Sequence, residues 1–218
     1  MTDIDDQITG TRREVADFER GSDVGHSVRL RRSYDAPIED VWSACTEGER
    51  LSRWFLPVTG DLRLGGTYQL EGNAGGEILV CEPPKRLVVT WIFGDPGPDP
   101  FSEVEVGLSP TDDGGTLLEL EHRAVVPDEF WGQFGPGAVG LGWDLTLLGL
   151  VLHLRGEPKP EEAELMGSPE GLDLVQRSAA AWGAAHEASG ADPAFAKEAA
   201  DRTAHFYTPQ PDGKFPEA

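Results

Sequence analysis

Residues 137–154 read "GAVGLGWDLTLLGLVLHL", the most apolar stretch of the chain and the one on which the fold turns. Laid on a helix, Leu141, Leu145, Leu148 and Leu152 form one stripe, and Trp143, Leu147, Leu150 and Leu154 form the adjoining one. A helix that is apolar nearly all round must be enclosed by other elements. A bilayer is not the enclosure indicated, because the strongest segment, Leu145 to Leu154, spans only about half of one and carries His153.

The preceding sequence supplies the enclosure. His26 to Tyr34 alternates Val28 and Leu30 with arginines, as a half-buried strand does. Further strands are expected over 60–63, 67–71, 77–82, 86–93, 104–108 and 117–122. Gly65-Gly66, Gly75-Gly76, Pro83-Pro84, the loop "GDPGPDP" (94–100) and Asp112-Asp113-Gly114-Gly115 punctuate them. About seven strands in hairpin order make an antiparallel sheet. Between the first and second strands, "YDAPIEDVWSACTEGERLSRWF" (34–55) reads as two short helices. Pro37 sits in the first turn, Glu39 and Asp40 lie at the positive helix end, and Gly48 breaks one helix from the next. The reading is an α+β helix-grip domain, a curved antiparallel sheet wrapped around one long helix.

Three regions follow from this. Residues 1–24 are polar, with a weak helical patch at Val15 to Phe18, and read as an N-terminal arm. Residues 25–155 hold the helix-grip domain. Residues 156–218 form a helical extension: "GEPKPEE" (156–162) is a linker, and Ser168-Pro169 and Asp192-Pro193 each cap and start a helix.

Composition bounds the function. At 218 residues with 39% apolar content, the chain can bury a substantial core. A formal net charge of −21 argues against nucleic acid, whose phosphates need clustered Lys and Arg. The arginines at 29, 31 and 32 are expected to pair with neighbouring carboxylates. "MTDIDDQITG" at the start lacks the basic-then-apolar order of a secretory signal, which suggests a cytoplasmic protein without a membrane partner. Cys45 and Cys81 are the only cysteines and read as two apolar thiols. His153, His186 and His205 are too scattered for a metal site, and no P-loop, Rossmann, GxSxG or HExxH motif is present, so neither metal nor cofactor is expected.

Five segments in order resemble the Activator of Hsp90 ATPase homologue-like family of the START-like (SRPBCC) superfamily. They are "APIEDVWSACTEGERLSRWF", "GDLRLGGTYQLEG", "GEILVCEPPKRLVVTWIF", "GGTLLELEH" and the "GW" at 142–143, together spanning roughly His26 to Arg155. The resemblance implies a cavity between sheet and long helix, where members that bind apolar molecules hold them. Two departures stand against carrying the family's name over as a function. The eukaryotic co-chaperones have a second, N-terminal domain that a 24-residue arm cannot supply, and the extension after residue 155 is additional.

Candidate site residues follow from this frame. Trp42, Trp54 and Phe55 on the short helices plug the open end of the sheet, as core or as pocket mouth. Trp91 and Phe93 share a face with Leu87 and Val89. Tyr68, beside Leu70, offers a polar handle. His122 falls in line with Leu118 and Leu120, where it could act as a base or hydrogen-bond a ligand, with Asp144 or Glu121 as possible partners. Trp143 and Leu147 face the same space from the long helix. "WGQFGPGAVGLGW" (131–143) has five glycines in thirteen residues and reads as a gate or a loop of tight turns. The expected function is non-catalytic binding of a small hydrophobic or amphipathic molecule. The alternatives are a cyclase- or hydrolase-like enzyme using His122, and a protein-interaction or co-chaperone-like module. That module could form a homodimer through the C-terminal helices, with Trp182 and Phe206 exposed in the single chain.

Overall fold

The computed structural model describes residues 4–94, 101–209 and 215. Eight antiparallel strands form one curved, unclosed sheet: β1 (Thr11–Arg20), β2 (Asp23–Tyr34), β3 (Val58–Gly60), β4 (Thr67–Leu70), β5 (Gly75–Glu82), β6 (Arg86–Thr90), β7 (Ser102–Pro110) and β8 (Thr116–Ala124). Their spatial order is β1-β2-β8-β7-β6-β5-β4-β3. Eight helices accompany them: α1 (Ile4–Thr9), α2 (Ile38–Thr46), α3 (Gly48–Trp54), α4 (Asp128–Phe134), α5 (Gly137–Leu154), α6 (Glu162–Gly167), α7 (Pro169–Ala188) and α8 (Pro193–Phe206).

Alternation sets the faces of the sheet. On β8, Leu118, Leu120 and His122 turn inward, and on β2 Val28 and Leu30 do the same. The outward residues make a ladder of ion pairs across neighbouring strands: Arg29–Glu121 (3.1 Å), Arg31–Glu119 (2.6 Å) and Arg86–Glu105 (2.7 Å). These exposed pairs keep one face in water. Arg32 turns inward instead and reaches Asp6 at 2.8 Å. The loop expected over 94–100 lies outside the described residues apart from Gly94.

The N-terminal segment is not a free arm, and Val15 to Phe18 is not helical. Residues 11–20 form edge strand β1, paired with β2 from Thr11↔Arg32 to Arg20↔Asp23. The alternating apolar signal is missing because Arg13 occupies an inward position. Its guanidinium, with the side chain 5% exposed, makes two bonds to the buried Asp144 carboxylate at 2.8 and 2.9 Å.

α5 is enclosed on both sides. It is 67% buried, and among the described residues it is the one helix long and apolar enough to cross a membrane. The sheet covers one side through Trp143, Leu147 and Leu150, while α7 and α8 cover the other. The Ser168 and Asp192 caps form as expected, accepting from the backbone N–H of Gly171 and Phe195. Trp182 on α7 is fully buried, its ring lying over Gly140 so closely that a Cβ there would sit 2.2 Å from it. Ser178 Oγ and Trp182 Nε1 donate to Asp144 Oδ2 at 2.5 and 2.9 Å. One carboxylate thus ties β1, α5 and α7 together. Phe206 is half-buried against Phe134 and Tyr207.

The glycine-rich segment is likewise more ordered than a loop. Residues 128–134 form α4, Gly135 turns the chain at φ 53°, and α5 begins at Gly137. Gly137 abuts Thr203, Gly140 abuts Trp182, and Gly149 abuts the backbone of Trp54, so these glycines permit close crossings.

Candidate ligand cavity

A cavity of about 560 Å³ opens between the sheet, α4 and the first half of α5. Trp91, just past β6, and Trp143 on α5 form its inner wall, their rings 5.0 Å apart, and Phe55 extends the wall at 6.4 Å from Trp91. His122 is placed by β8, opposite Val104 of β7 and Val28 of β2. Ser102 opens β7 beside it. Among the described residues, no Asp, Glu, Lys or Arg lines this space.

α4 covers the cavity with Phe130 and Trp131. Trp131 stacks flat on His26, with centroids 3.6 Å apart and planes 2° from parallel. His26 Nδ1 is in turn 2.7 Å from Asp17 of β1. On its other side Trp131 meets the edge of His186 from α7 at 5.6 Å. Burial lowers the pKa of His186, and His26 adds to the lowering while Asp17 opposes it. Tyr207, just past α8, completes the wall by donating from its hydroxyl to Ala138 O at 2.8 Å. The extension beyond residue 155 therefore contributes to the enclosure.

The polar chemistry at the inner wall is one connected chain. Trp143 Nε1–H donates to His122 Nδ1 at 3.1 Å, and His122 Nε2 lies 2.9 Å from Ser102 Oγ. An indole nitrogen can only donate, so Nδ1 must be the unprotonated acceptor. Nε2 of the neutral ring therefore carries the hydrogen and donates to Ser102 Oγ. Burial pushes the His122 pKa down to about 4, which keeps the ring neutral near pH 7. Neither Asp144 nor Glu121 is its partner: Asp144 faces Arg13 and Trp182, and Glu121 faces Arg29.

Two smaller hollows adjoin. One of about 90 Å³ lies deeper between sheet and α5, lined in part by Cys45, Trp54, Leu120 and Leu147, and it shares Phe55, Trp91 and Trp143 with the main cavity. Burial pushes the Cys45 thiol up to about 12, so this cysteine is an inert wall group. The other, about 260 Å³, runs along α5 towards α6 and includes Met166 and Lys159.

The expected site residues divide accordingly. Phe55, Trp91, His122 and Trp143 line the main cavity, joined by Phe93 as a rim residue 68% exposed. Trp54, Leu120 and Leu147 belong to the deep hollow. Trp42, Tyr68 and Leu70 line none of the three. Trp42 and Leu70 pack in the core, and the Tyr68 hydroxyl donates to Thr90 O at 2.7 Å, with burial raising its pKa. Ser102, Phe130, Trp131 and Tyr207 were not anticipated. A lone serine at a strand start carries no periodic signal, and the sequence around Trp131 reads as a gate or a loop without singling out its ring. Cys45 and Cys81 are free thiols, and no cluster of three His, Cys, Asp or Glu suited to a metal occurs among the described residues.

The helix-grip architecture is matched by known proteins. A family model described as Activator of Hsp90 ATPase homolog 1-like protein covers residues 35–154. The chain belongs to this family. Among solved structures, the crystal structure of CalU16 from Micromonospora echinospora is similar at 38% identity, covering 81% of this chain and 98% of CalU16 with a TM-score of 0.64. The solution structure of CalU16 gives 40% identity and a TM-score of 0.66, covering 83% and 97%. DynU16, a protein of the dynemicin biosynthetic locus, is 25% identical over 61% of this chain and 48% of its own, with a TM-score of 0.52. An Hsp90 activator from Plasmodium falciparum is also 25% identical, covering 62% of this chain and 99% of its own at a TM-score of 0.52. No curated protein matches the chain.

Proposed function

We propose that this chain is a cytoplasmic binding protein that holds a small, mainly apolar molecule non-covalently between its sheet and α5. The observation that carries this reading is the cavity of about 560 Å³, walled by Trp91, Trp131, Trp143, Phe55 and Phe130 and, among the described residues, free of Asp, Glu, Lys and Arg. Aromatic walls with a few placed polar groups suit a compact ligand of this kind. The place of DynU16 in a biosynthetic locus supports a product or intermediate of small-molecule biosynthesis as the occupant. His122 enters this reading as a structural hydrogen-bonding group, because Nε2 already carries its proton and Nδ1 is engaged by Trp143.

Native mass spectrometry of the full chain purified from its own host, with thermal unfolding against a panel of neutral aromatic compounds, tests the proposal. A retained small molecule, or a concentration-dependent rise in Tm with panel members, is expected. No retained mass together with an unchanged Tm across the panel overturns it.

A further inference from the structure

The hydrogen-bonding groups of the main cavity fix more of the ligand than its apolarity. Two of the hydroxyls that line it are used internally: Thr146 donates to Gly142 O at 2.9 Å and Tyr207 to Ala138 O at 2.8 Å. Ser102 differs. Its oxygen accepts from His122 Nε2–H, so its own proton must point elsewhere, and it finds no acceptor among the described residues. The indole N–H groups of Trp91 and Trp131 also lack an acceptor among the described residues. The unused groups of Ser102 and of these two indoles are thus hydrogen-bond donors. They belong to a largely aromatic wall that holds no Asp, Glu, Lys or Arg among the described residues.

The orientation of Ser102 is set by a one-way chain. Trp143 Nε1–H cannot accept, so His122 Nδ1 cannot donate. The imidazole is thereby held in the tautomer that gives its hydrogen to Ser102. A hydroxyl that receives such a bond is polarised as a donor, its proton turned away from His122. A ligand lacking an acceptor would leave that donor unsatisfied when the cavity loses its water.

Resting on the binding reading above, we propose that the ligand is a neutral aromatic carbonyl compound whose oxygen accepts from Ser102 while its ring system lies against Trp91 and Trp143. Ser102 is the specificity-determining contact, and His122 and Trp143 are its positioning residues. Among the described residues no Lys or Arg lines the cavity to meet an anionic ligand, and a pure hydrocarbon would waste the donor.

Fluorene and 9-fluorenone test this, because they share one ring skeleton and differ by a single carbonyl. Binding to the full chain is followed by quenching of tryptophan fluorescence and by calorimetry. Wild type is expected to hold fluorenone about five-fold more tightly than fluorene, the worth of one ordinary hydrogen bond. S102A should bind the two about equally, and S102T, which keeps a hydroxyl, should retain part of the preference. Equal affinities in wild type, or an undiminished preference in S102A, overturn the assignment of Ser102 while leaving the binding reading intact. Binding of neither compound at any accessible concentration also overturns the aromatic-carbonyl assignment, whereas the binding reading falls only if the retained-mass and panel test above fails as well.

Discussion

Trp143 donates from its indole nitrogen to Nδ1 of His122 at 3.1 Å, joining the core helix to the sheet at the inner wall of the cavity. The bond requires an unprotonated Nδ1, and burial already holds the His122 pKa at about 4, below the ordinary value of 6.5. The unfolded chain therefore binds a proton here between about pH 6.5 and pH 4 when the folded chain does not. Stability from this group is full above pH 6.5 and is lost progressively as the pH falls to about 4. Complete loss amounts to about 3 kcal/mol. H122N keeps an acceptor for the indole and removes the titration. Urea unfolding at pH 7 and pH 4.5 should show wild type losing about 2 kcal/mol more than H122N over that range. Equal losses would mean that His122 is not protected from protonation by the fold.

Asp144 is the second point where distant segments meet. Its buried carboxylate accepts from Arg13, Ser178 and Trp182, so β1, α5 and α7 depend on one side chain. D144A leaves the Arg13 guanidinium buried without its counter-charge and should cost about 3–5 kcal/mol. The R13A/D144A pair should cost clearly less than the sum of the two single changes, since the second change removes the stranded charge. Chemical denaturation of the four proteins measures the coupling. Additive costs would show that the two groups do not act as a pair.

The same cluster explains what was legible in the sequence and what was not. Leu118, Leu120 and His122 alternate because one face of β8 is dry, and that period survives in the sequence alone. The leucine stripes of α5 are equally plain. β1 was hidden because Arg13 stands at an inward position, and its compensating carboxylate is on α5, far along the chain. The Ser102–His122–Trp143 chain was half visible: His122 and Trp143 stood out by type and phase, while Ser102 gains its meaning only from the pairing of β7 with β8. Trp42, Tyr68 and Leu70 lie in correctly anticipated elements, yet periodicity cannot separate a core wall from a cavity wall.

The glycines of 131–143 give a paired prediction. A Cβ on Gly140 would lie 2.2 Å from the Trp182 ring, whereas one on Gly132 meets nothing within 4 Å. G140A should therefore destabilise by about 2–3 kcal/mol through forced separation of α5 and α7. G132A, at an exposed position of α4, should be neutral or stabilise by up to about 1 kcal/mol through helix propensity. Thermal unfolding distinguishes them. Similar small effects at both positions would mean that flexibility, not close packing, is what these glycines supply.

Trp131 lines the cavity from α4, and its restraints come from both ends of the chain. His26, held by Asp17, stacks on one face, His186 meets it edge-on, and Arg202 of α8 donates to the Gln133 carbonyl at the end of the same helix. If Trp131 acted only as wall, W131A would weaken binding by faster release while association stayed unchanged. A cover that must shift for entry predicts something different: both rates rise, by about ten-fold each, and the equilibrium constant changes much less. W131F retains a ring over the opening and should lie between W131A and wild type. Stopped-flow mixing of the full chain with Nile red, a neutral lipophilic dye, reads both rates directly. An unchanged association rate in W131A would reduce α4 from a moving cover to a fixed part of the cavity wall.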